Sequence, residues 1–114
     1  MVAHVVMLKP QAALTAGDRE ALLEAMRHAF SHIEEIRRVR IGRRTVLGRS
    51  YDVMMPQHFE YAAILEFDTE DALCAYLDHP AHVDLGRRFF ESAEAALVYD
   101  FVTVEPDRVR DLLD

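Results

Sequence analysis

The sequence predicts an α+β fold, in which helices cover one face of a four-stranded antiparallel sheet. The chain has 114 residues, of which 51% are hydrophobic, and this suits a single domain with a modest core. Short apolar runs with the character of strands are separated by runs with helical periodicity. Their order is strand, helix, strand, strand, helix pair and strand, without an internal repeat or a linker.

The first strand and the first helix have the clearest signals. Residues 2–9 form an apolar run that Pro10 ends. Thr15 and Asp18 resemble a capping box, which predicts a helix over about 16–32. The apolar stripe of this helix consists of Leu22, Met26, Ala29, Phe30 and Ile33.

The middle of the chain is predicted to hold two strands and a loop. Residues 37–47 alternate apolar and basic side chains, which indicates a strand with one solvated face, whereas residues 59–67 form a strand with two apolar faces. Residues 48–58 break the pattern, and a loop of this length can form a lid or a pocket wall. Six arginines between residues 37 and 49 suit either a patch for an anionic ligand or, more simply, a charged strand edge.

Two helices and a strand are predicted for the second half. Thr69 caps a helix over 69–78, and a third helix follows over about 80–95. The last strand covers 97–104. The remaining residues, 105–114, read as a polar extension with a short helix.

The segment from Tyr76 to His82, Tyr-Leu-Asp-His-Pro-Ala-His, joins the last two helices and concentrates polar chemistry. Pro80 fits the first position of the new helix, so His79 or Asp78 should cap it. His82 then lies in the first turn, where the positive end of the helix dipole disfavours the imidazolium form. A neutral histidine beside a phenol suits proton transfer, although the same residues also suit a well-packed helix junction.

His82 and Asp100 are predicted to form a pair inside the fold. His82 lies on the apolar stripe of its helix with Leu85 and Phe89, and a buried imidazole needs a partner. Asp100 is a carboxylate among valines on one face of the last strand, which is unfavourable unless a donor bonds it. We therefore expect a hydrogen bond between the two. His4, near the start of the first strand, either meets solvent or a backbone carbonyl or lines a pocket.

Charge, cysteine content and hydropathy limit the partners and the location. The formal net charge of −7 argues against nucleic-acid binding, and no apolar run is long enough to span a bilayer. The single cysteine, Cys74, permits no internal disulfide, and no secretion signal is evident, so a cytoplasmic setting is expected. His79 and His82 lack a third clustered ligand and face a positive helix end, so neither a metal, a haem nor another cofactor is predicted.

The order of elements is that of a ferredoxin-like βαββαβ layout, which we assign to residues 1–104, with 105–114 as a C-terminal extension. Helices can cover only one face of such a sheet. The other face carries apolar residues, such as Val5 and Ile64 or the alternating set, and a second copy of the sheet is its simplest cover. We therefore expect a homodimer in which two sheets join as an α/β barrel.

Four segments carry a resemblance to a known family: residues 4–9, 67–73, 76–82 and 98–101. They resemble the stress-responsive A/B barrel (Dabb) family over about residues 2–104, and the Tyr-x-x-His-Pro-x-His motif is the most specific part. The resemblance implies a dimeric α/β barrel. Most members of the family have no assigned reaction.

The resemblance also implies roles for individual residues. In a polyketide cyclase that the chain resembles, a helix tyrosine, the second histidine of the motif and an aspartate of the last strand do the work, and Tyr76, His82 and Asp100 match them. His4 matches another polar residue of that cavity, whereas Tyr61 stands where the cyclase has a histidine. The residues predicted to contact a substrate are His4, Tyr61, His79 and Phe89.

Two functional hypotheses follow. In the first, His82 is oriented by Asp100 and removes a proton α to a carbonyl, while Tyr76 donates to the developing enolate oxygen. This would be cofactor-free cyclase or lyase chemistry on an apolar or aromatic small molecule. In the second, the protein is a non-catalytic, small-molecule-binding or stress-associated dimer, and the same three side chains pin the helix junction to the sheet.

Overall fold

The computed structural model describes residues 1–114 as a four-stranded sheet with helices on one side. The elements in chain order are β1 (Val2–Pro10), α1 (Ala16–His32), β2 (Arg38–Arg43), α2 (Ser50–Met54), β3 (Tyr61–Phe67), α3 (Glu70–Asp78), α4 (Pro80–Ser92), β4 (Ala93–Val102) and a C-terminal 3₁₀ helix (Pro106–Leu113). The strand order is β2-β3-β1-β4, and every neighbouring pair is antiparallel. The predicted ferredoxin-like α+β fold is confirmed. None of the helices combines the length and the apolar character that a membrane crossing needs.

α1 begins where its capping pair predicts. The Thr15 hydroxyl accepts from the Asp18 N–H, and the Asp18 carboxylate accepts from the Thr15 N–H, each at 3.0 Å. These bonds satisfy two of the backbone donors that a helix start leaves free. The helix buries Leu22 and Ala29 and packs mainly against α4 rather than against the sheet. This arrangement leaves space between α1 and the strands.

One face of the sheet lies under the helices, and we call it the covered face. Cross-strand partners point to the same side of a sheet, so the pairs of His4 with Leu65 and with Asp100 assign these side chains to that face. Leu65 and Phe67 of β3 are completely buried there. Phe67 packs against Tyr76 of α3, with ring centroids 5.2 Å apart. The core therefore lies under α3, at the middle of the sheet.

The opposite face of the sheet has no layer above it. This open face includes Val5, Arg40, Ile64, Tyr99 and Phe101, which follow from the strand register. Ile64, Tyr99 and Phe101 are 47%, 56% and 53% exposed. The molecule measures 45 × 41 × 17 Å, and its radius of gyration of 15.6 Å exceeds the roughly 13 Å typical of a domain of this length. A single chain is thus flat and has exposed apolar residues on its open face.

The structure differs most from the predicted boundaries in three places, apart from shifts of two or three residues at the start of β3 and at the ends of α4 and β4. β2 ends at Arg43 rather than at residue 47, because its partner strand begins at Tyr61, and the pairing continues only through the bond from the Arg44 N–H to the Glu60 carbonyl oxygen. β4 begins at Ala93, four residues early, because β1 continues to Pro10 and pairs with it there. A short helix, α2, lies within the predicted loop 48–58.

Candidate functional site

A cavity of about 300 Å³ lies between the helices and the covered face. This volume falls at the lower end of the ~300–1,000 Å³ range of small-molecule sites. Of its 23 lining residues 18 are hydrophobic, so the few polar groups stand out. Three of these groups lie together: the Tyr76 ring centroid is 5.9 Å from that of His4 and 4.5 Å from that of His82.

Asp100 is the partner of His4, not of His82. Its Oδ1 atom lies 2.6 Å from Nδ1 of His4, and the predicted bond between His82 and Asp100 is wrong. The physical reason is the register, because His4 and Asp100 are directly opposed on adjacent strands. A carboxylate accepts only, so Nδ1 of His4 carries the proton and Nε2 keeps its lone pair in the neutral ring. The His4 side chain is 4% exposed and that of Asp100 is 47% exposed, so the carboxylate is only partly desolvated.

His82 has a different anchor. Its Nδ1 lies 2.9 Å from the Leu77 carbonyl oxygen, which can only accept a hydrogen bond. Nδ1 therefore donates, and Nε2 keeps a free lone pair, as in His4. Burial lowers the pKa of His82, and the charge of His4 adds to the effect, although the Leu77 carbonyl and Asp78 oppose it. The expectation that His82 favours its neutral form agrees with this direction, and burial is the largest cause.

Tyr76 projects from α3 toward the sheet, and its ring lies near both histidines. Its side chain belongs to the buried face of α3, is 2% exposed and also lines the cavity. Burial raises the pKa of its hydroxyl, and no cation or hydrogen bond counteracts this. The phenol is consequently neutral across the physiological pH range. It can act as a hydrogen-bond donor to an oxygen atom inside the cavity.

His79 does not line the cavity, contrary to its prediction as a substrate contact. It is the N-cap of α4, and its Nδ1 accepts from the Ala81 N–H at 3.0 Å. Pro80 occupies the first position of that helix, as the sequence predicts. Because Pro80 is the first residue of the helix, His79 before it is the N-cap. Its Nδ1 is the ring nitrogen nearest the backbone and can therefore reach the free N–H groups of the first turn. His79 therefore shapes the helix junction, and no set of three potential metal ligands is grouped in the chain.

Tyr61 and Phe89 both line the cavity. Tyr61 begins β3 on the covered face, opposite Leu8 of β1. Phe89 projects from the same face of α4 as His82, two turns further along the helix. Their position makes contact with a bound molecule feasible.

The sequence reasoning missed Arg19, on the first turns of α1. It lines the cavity together with Leu22, Leu23 and Met26 of the same helix. The spacing i, i+3, i+4 and i+7 places these four residues on one helix face, and this signal was available in the sequence. The predicted stripe begins only at Leu22 and therefore does not include the basic residue one turn earlier.

The fold and the motif connect the chain to known proteins. The family described as the stress responsive A/B barrel domain matches residues 2–103. The chain belongs to this family. The Dabb match covers almost the whole chain, including the segment from Tyr76 to His82. No curated protein matches the sequence.

Several solved structures share the Dabb fold of this chain. One is a protein of Arabidopsis thaliana, with 21% identity, coverage of 92% of this chain and 97% of that chain, and a TM-score of 0.74. Another is a hydroxynitrile lyase from Passiflora edulis, with 18% identity, 91% and 94% coverage, and a TM-score of 0.75. A third is a dimeric ferredoxin-like protein of unknown function from Thermobifida fusca, with 20% identity, 90% coverage of both chains and a TM-score of 0.70. At these identities the likeness establishes the fold.

Proposed function

We propose that this Dabb protein is a homodimer that binds an apolar or aromatic small molecule in its cavity and performs cofactor-free acid–base chemistry on it. One observation carries the proposal. Two imidazoles, those of His4 and His82, have Nδ1 fixed by the protein and Nε2 free beside the buried phenol of Tyr76. A base and a neutral donor held in an apolar enclosure are the parts that proton transfer at carbon requires.

His4 is the general base of the proposed reaction. Asp100 fixes the ring orientation and stabilises the imidazolium that forms when Nε2 takes up a proton, as an aspartate does in other acid–base sites. The proton comes from the carbon α to a carbonyl, and the electron pair of that C–H bond moves to the carbonyl oxygen. Tyr76 donates a hydrogen bond to this developing enolate. Return of the proton from His4 to carbon or oxygen completes the cycle.

His82 has an accessory role in the proposed mechanism. Its lowered pKa keeps the ring neutral, so its free Nε2 accepts a hydrogen bond rather than carrying charge. A substrate hydroxyl is a suitable donor. Aldol-type cyclisation of a polyketide-like molecule uses such parts. The lyase reaction of a hydroxynitrile, for which a protein of the same fold is named, also begins with removal of a proton.

The open face supports the homodimer. Contiguous exposed apolar surface on a sheet usually marks an interaction site, and here it includes Ile64, Tyr99 and Phe101. The Thermobifida fusca protein with this fold is described as dimeric. Two open faces packed together would form the α/β barrel expected from the sequence. We also propose that residues 1–104 form the domain and that the protein is located in the cytoplasm.

One observation favours the second candidate, a non-catalytic binding protein. Nδ1 of His82 donates to the Leu77 carbonyl oxygen, and His79 caps α4. Both histidines of the motif therefore also stabilise the helix junction. In this case the cavity would bind a molecule without changing it.

Hydrogen–deuterium exchange at carbon tests the catalytic proposal. The probe is 4-phenyl-2-butanone in D₂O, and its α-protons are followed by NMR. We expect the wild-type protein to accelerate exchange, and His4→Ala and Tyr76→Phe to lose about 10²–10⁴-fold of that acceleration. His58→Ala is the matched control, because His58 is exposed and does not line the cavity. Saturable binding of the ketone with no acceleration would establish the binding-only candidate instead.

A further inference from the structure

Arg19 is the only charged residue that lines the cavity. It lies in α1 just after the capping pair, and its side chain is half-buried. No carboxylate of the chain forms an ion pair with it, although the other arginines of α1 and α4 do form such pairs. The carboxylate of the adjacent Asp18 accepts a hydrogen bond from the Thr15 N–H instead. A guanidinium that borders an apolar enclosure without a counter-charge is unusual, because charges in such places are normally paired.

Arg19 lies at the end of the cavity away from the two histidines. β1 runs from His4 to Pro10, and α1 starts a few residues later at that end. α4 runs in the same sense as β1, since its first turn carries His82 and its last turn meets Gln11, just after β1. Four residues of strand, from His4 to Leu8, correspond to about 13 Å. The cavity is therefore elongated, with proton-transfer groups at one end and a cation at the other.

We propose that Arg19 binds the carboxylate of an elongated ligand whose apolar body fills the cavity and whose opposite end reaches His4 and Tyr76. This inference rests on the proposed function and defines its substrate class: a long-chain or aryl-alkyl acid whose opposite end carries the reacting carbonyl, rather than a ketone or alcohol without a charged end. The guanidinium fork matches a carboxylate with two parallel hydrogen bonds. The protein carries a net charge of −7, so an anionic ligand needs a local cation to overcome the general repulsion.

The alternative for Arg19 is a purely structural role, in which its methylene stem covers apolar surface and its head group stays in water. The two roles differ in one measurable property. A structural arginine contributes equally to the binding of neutral and anionic ligands, whereas a carboxylate-binding arginine contributes to the anion alone. Arg19→Met separates them, because methionine keeps most of the stem and removes the charge.

Calorimetry with a matched pair of ligands provides the test. Decanoate and decan-1-ol have similar chain lengths and differ in the charged end. We expect wild-type protein to bind decanoate at least about tenfold more tightly than decan-1-ol, and Arg19→Met to remove this preference while binding decan-1-ol unchanged. Arg110→Met is the control, since Arg110 is exposed and outside the cavity. Unliganded thermal melts check that Arg19→Met is folded.

The outcomes distinguish this inference from the proposed function. Equal affinity of the wild-type protein for both ligands, or a decanoate preference that survives Arg19→Met, would overturn the role of Arg19 and leave the cavity as a binding site. If neither ligand binds, the binding cavity itself is refuted. A preference that Arg110→Met also removes would identify a general charge effect and refute the site.

Discussion

The imidazole of His4 and the carboxylate of Asp100 face each other on neighbouring strands at 2.6 Å. The pair is at the edge of the cavity, with the histidine buried and the aspartate half in solvent. Its geometry fixes which nitrogen of His4 is free, and therefore which atom can remove a proton. The Asp100 carboxylate thus bonds the histidine of β1, His4. The second histidine of the helix motif, His82, bonds a backbone carbonyl instead.

Asp100→Asn is expected to disrupt the orientation of His4 more than the stability of the fold. The amide can donate to Nδ1, which reverses the tautomer and places the proton on Nε2. We expect exchange of the ketone probe to fall by about 10²-fold, and the free energy of unfolding to change by about 1 kcal/mol, because Asp100 is half exposed. The ¹⁵N shifts of the His4 ring report the tautomer. Asp84→Asn, on the outer surface of α4, is the control, and an unchanged tautomer in Asp100→Asn would contradict the prediction.

His82 should make stability depend on pH in the mildly acidic range. Its folded-state pKa is lowered from the ordinary value of 6.5, so below about that pH the unfolded chain binds a proton that the folded protein resists. This contribution is fully present above pH 6.5 and is lost as pH falls through the lower, folded-state pKa. Urea unfolding at several pH values between 7.5 and 5 measures the slope. We expect a shallower slope in His82→Gln, and an identical slope in both proteins would refute the assignment.

Two substitutions of Tyr76 separate its ring from its hydroxyl. Tyr76→Ala should lower the free energy of unfolding by about 3–5 kcal/mol, because it empties a buried aromatic site against Phe67. Tyr76→Phe keeps the ring and should lower the free energy of unfolding by less than about 1 kcal/mol. The hydroxyl makes no hydrogen bond within the chain, so its removal breaks none. Denaturant titration gives both values. A large loss of stability in Tyr76→Phe would indicate a structural role for the hydroxyl.

The cap of α4 predicts how His79 tolerates substitution. His79→Ala removes the acceptor for the Ala81 N–H and should destabilise the protein by about 1 kcal/mol. His79→Ser supplies another N-cap acceptor and should restore most of that stability. Neither variant should alter the affinity for decan-1-ol, because His79 does not line the cavity. A loss of affinity in both variants would restore His79 as a ligand contact.

Charge on the open face should dissociate the proposed dimer. Tyr99→Glu places a carboxylate at a position that is 56% exposed in the single chain and that the proposed barrel would bury. A symmetric dimer contains this change twice, and we expect a dissociation constant at least about 10²-fold higher in sedimentation equilibrium. Val83→Glu is the matched control, because Val83 is 60% exposed but lies on the helix layer. Equal association of both variants would exclude the open face as the interface.

The fold was predictable because its signals are local. The capping pair of α1, Thr69 before α3 and Pro80 at the start of α4 each fix a helix boundary within a few residues of chain. Strand ends depend on partners instead. β4 starts at Ala93 because Pro10 is available to pair with it, and no local signal contains that information.

The composition of the candidate site was predictable, but its bonding was not. The sequence identifies His4, Tyr76, His82 and Asp100, and three of these line the cavity. Which histidine meets the aspartate depends on the pairing of two strands separated by almost the whole chain. A slip of one residue in that register would turn Asp100 to the open face, so the choice of partner is a tertiary property.

The gap between α1 and the sheet has an evolutionary consequence. In a close-packed core, enlarging a side chain forces its neighbours to move. Leu23 and Met26 instead border empty space, so larger or smaller residues there would resize the chamber without straining the scaffold. Changes in α1 alone would therefore alter the shape of the cavity, while the strands that carry His4 and Asp100 and the helices that carry Tyr76 and His82 keep their positions.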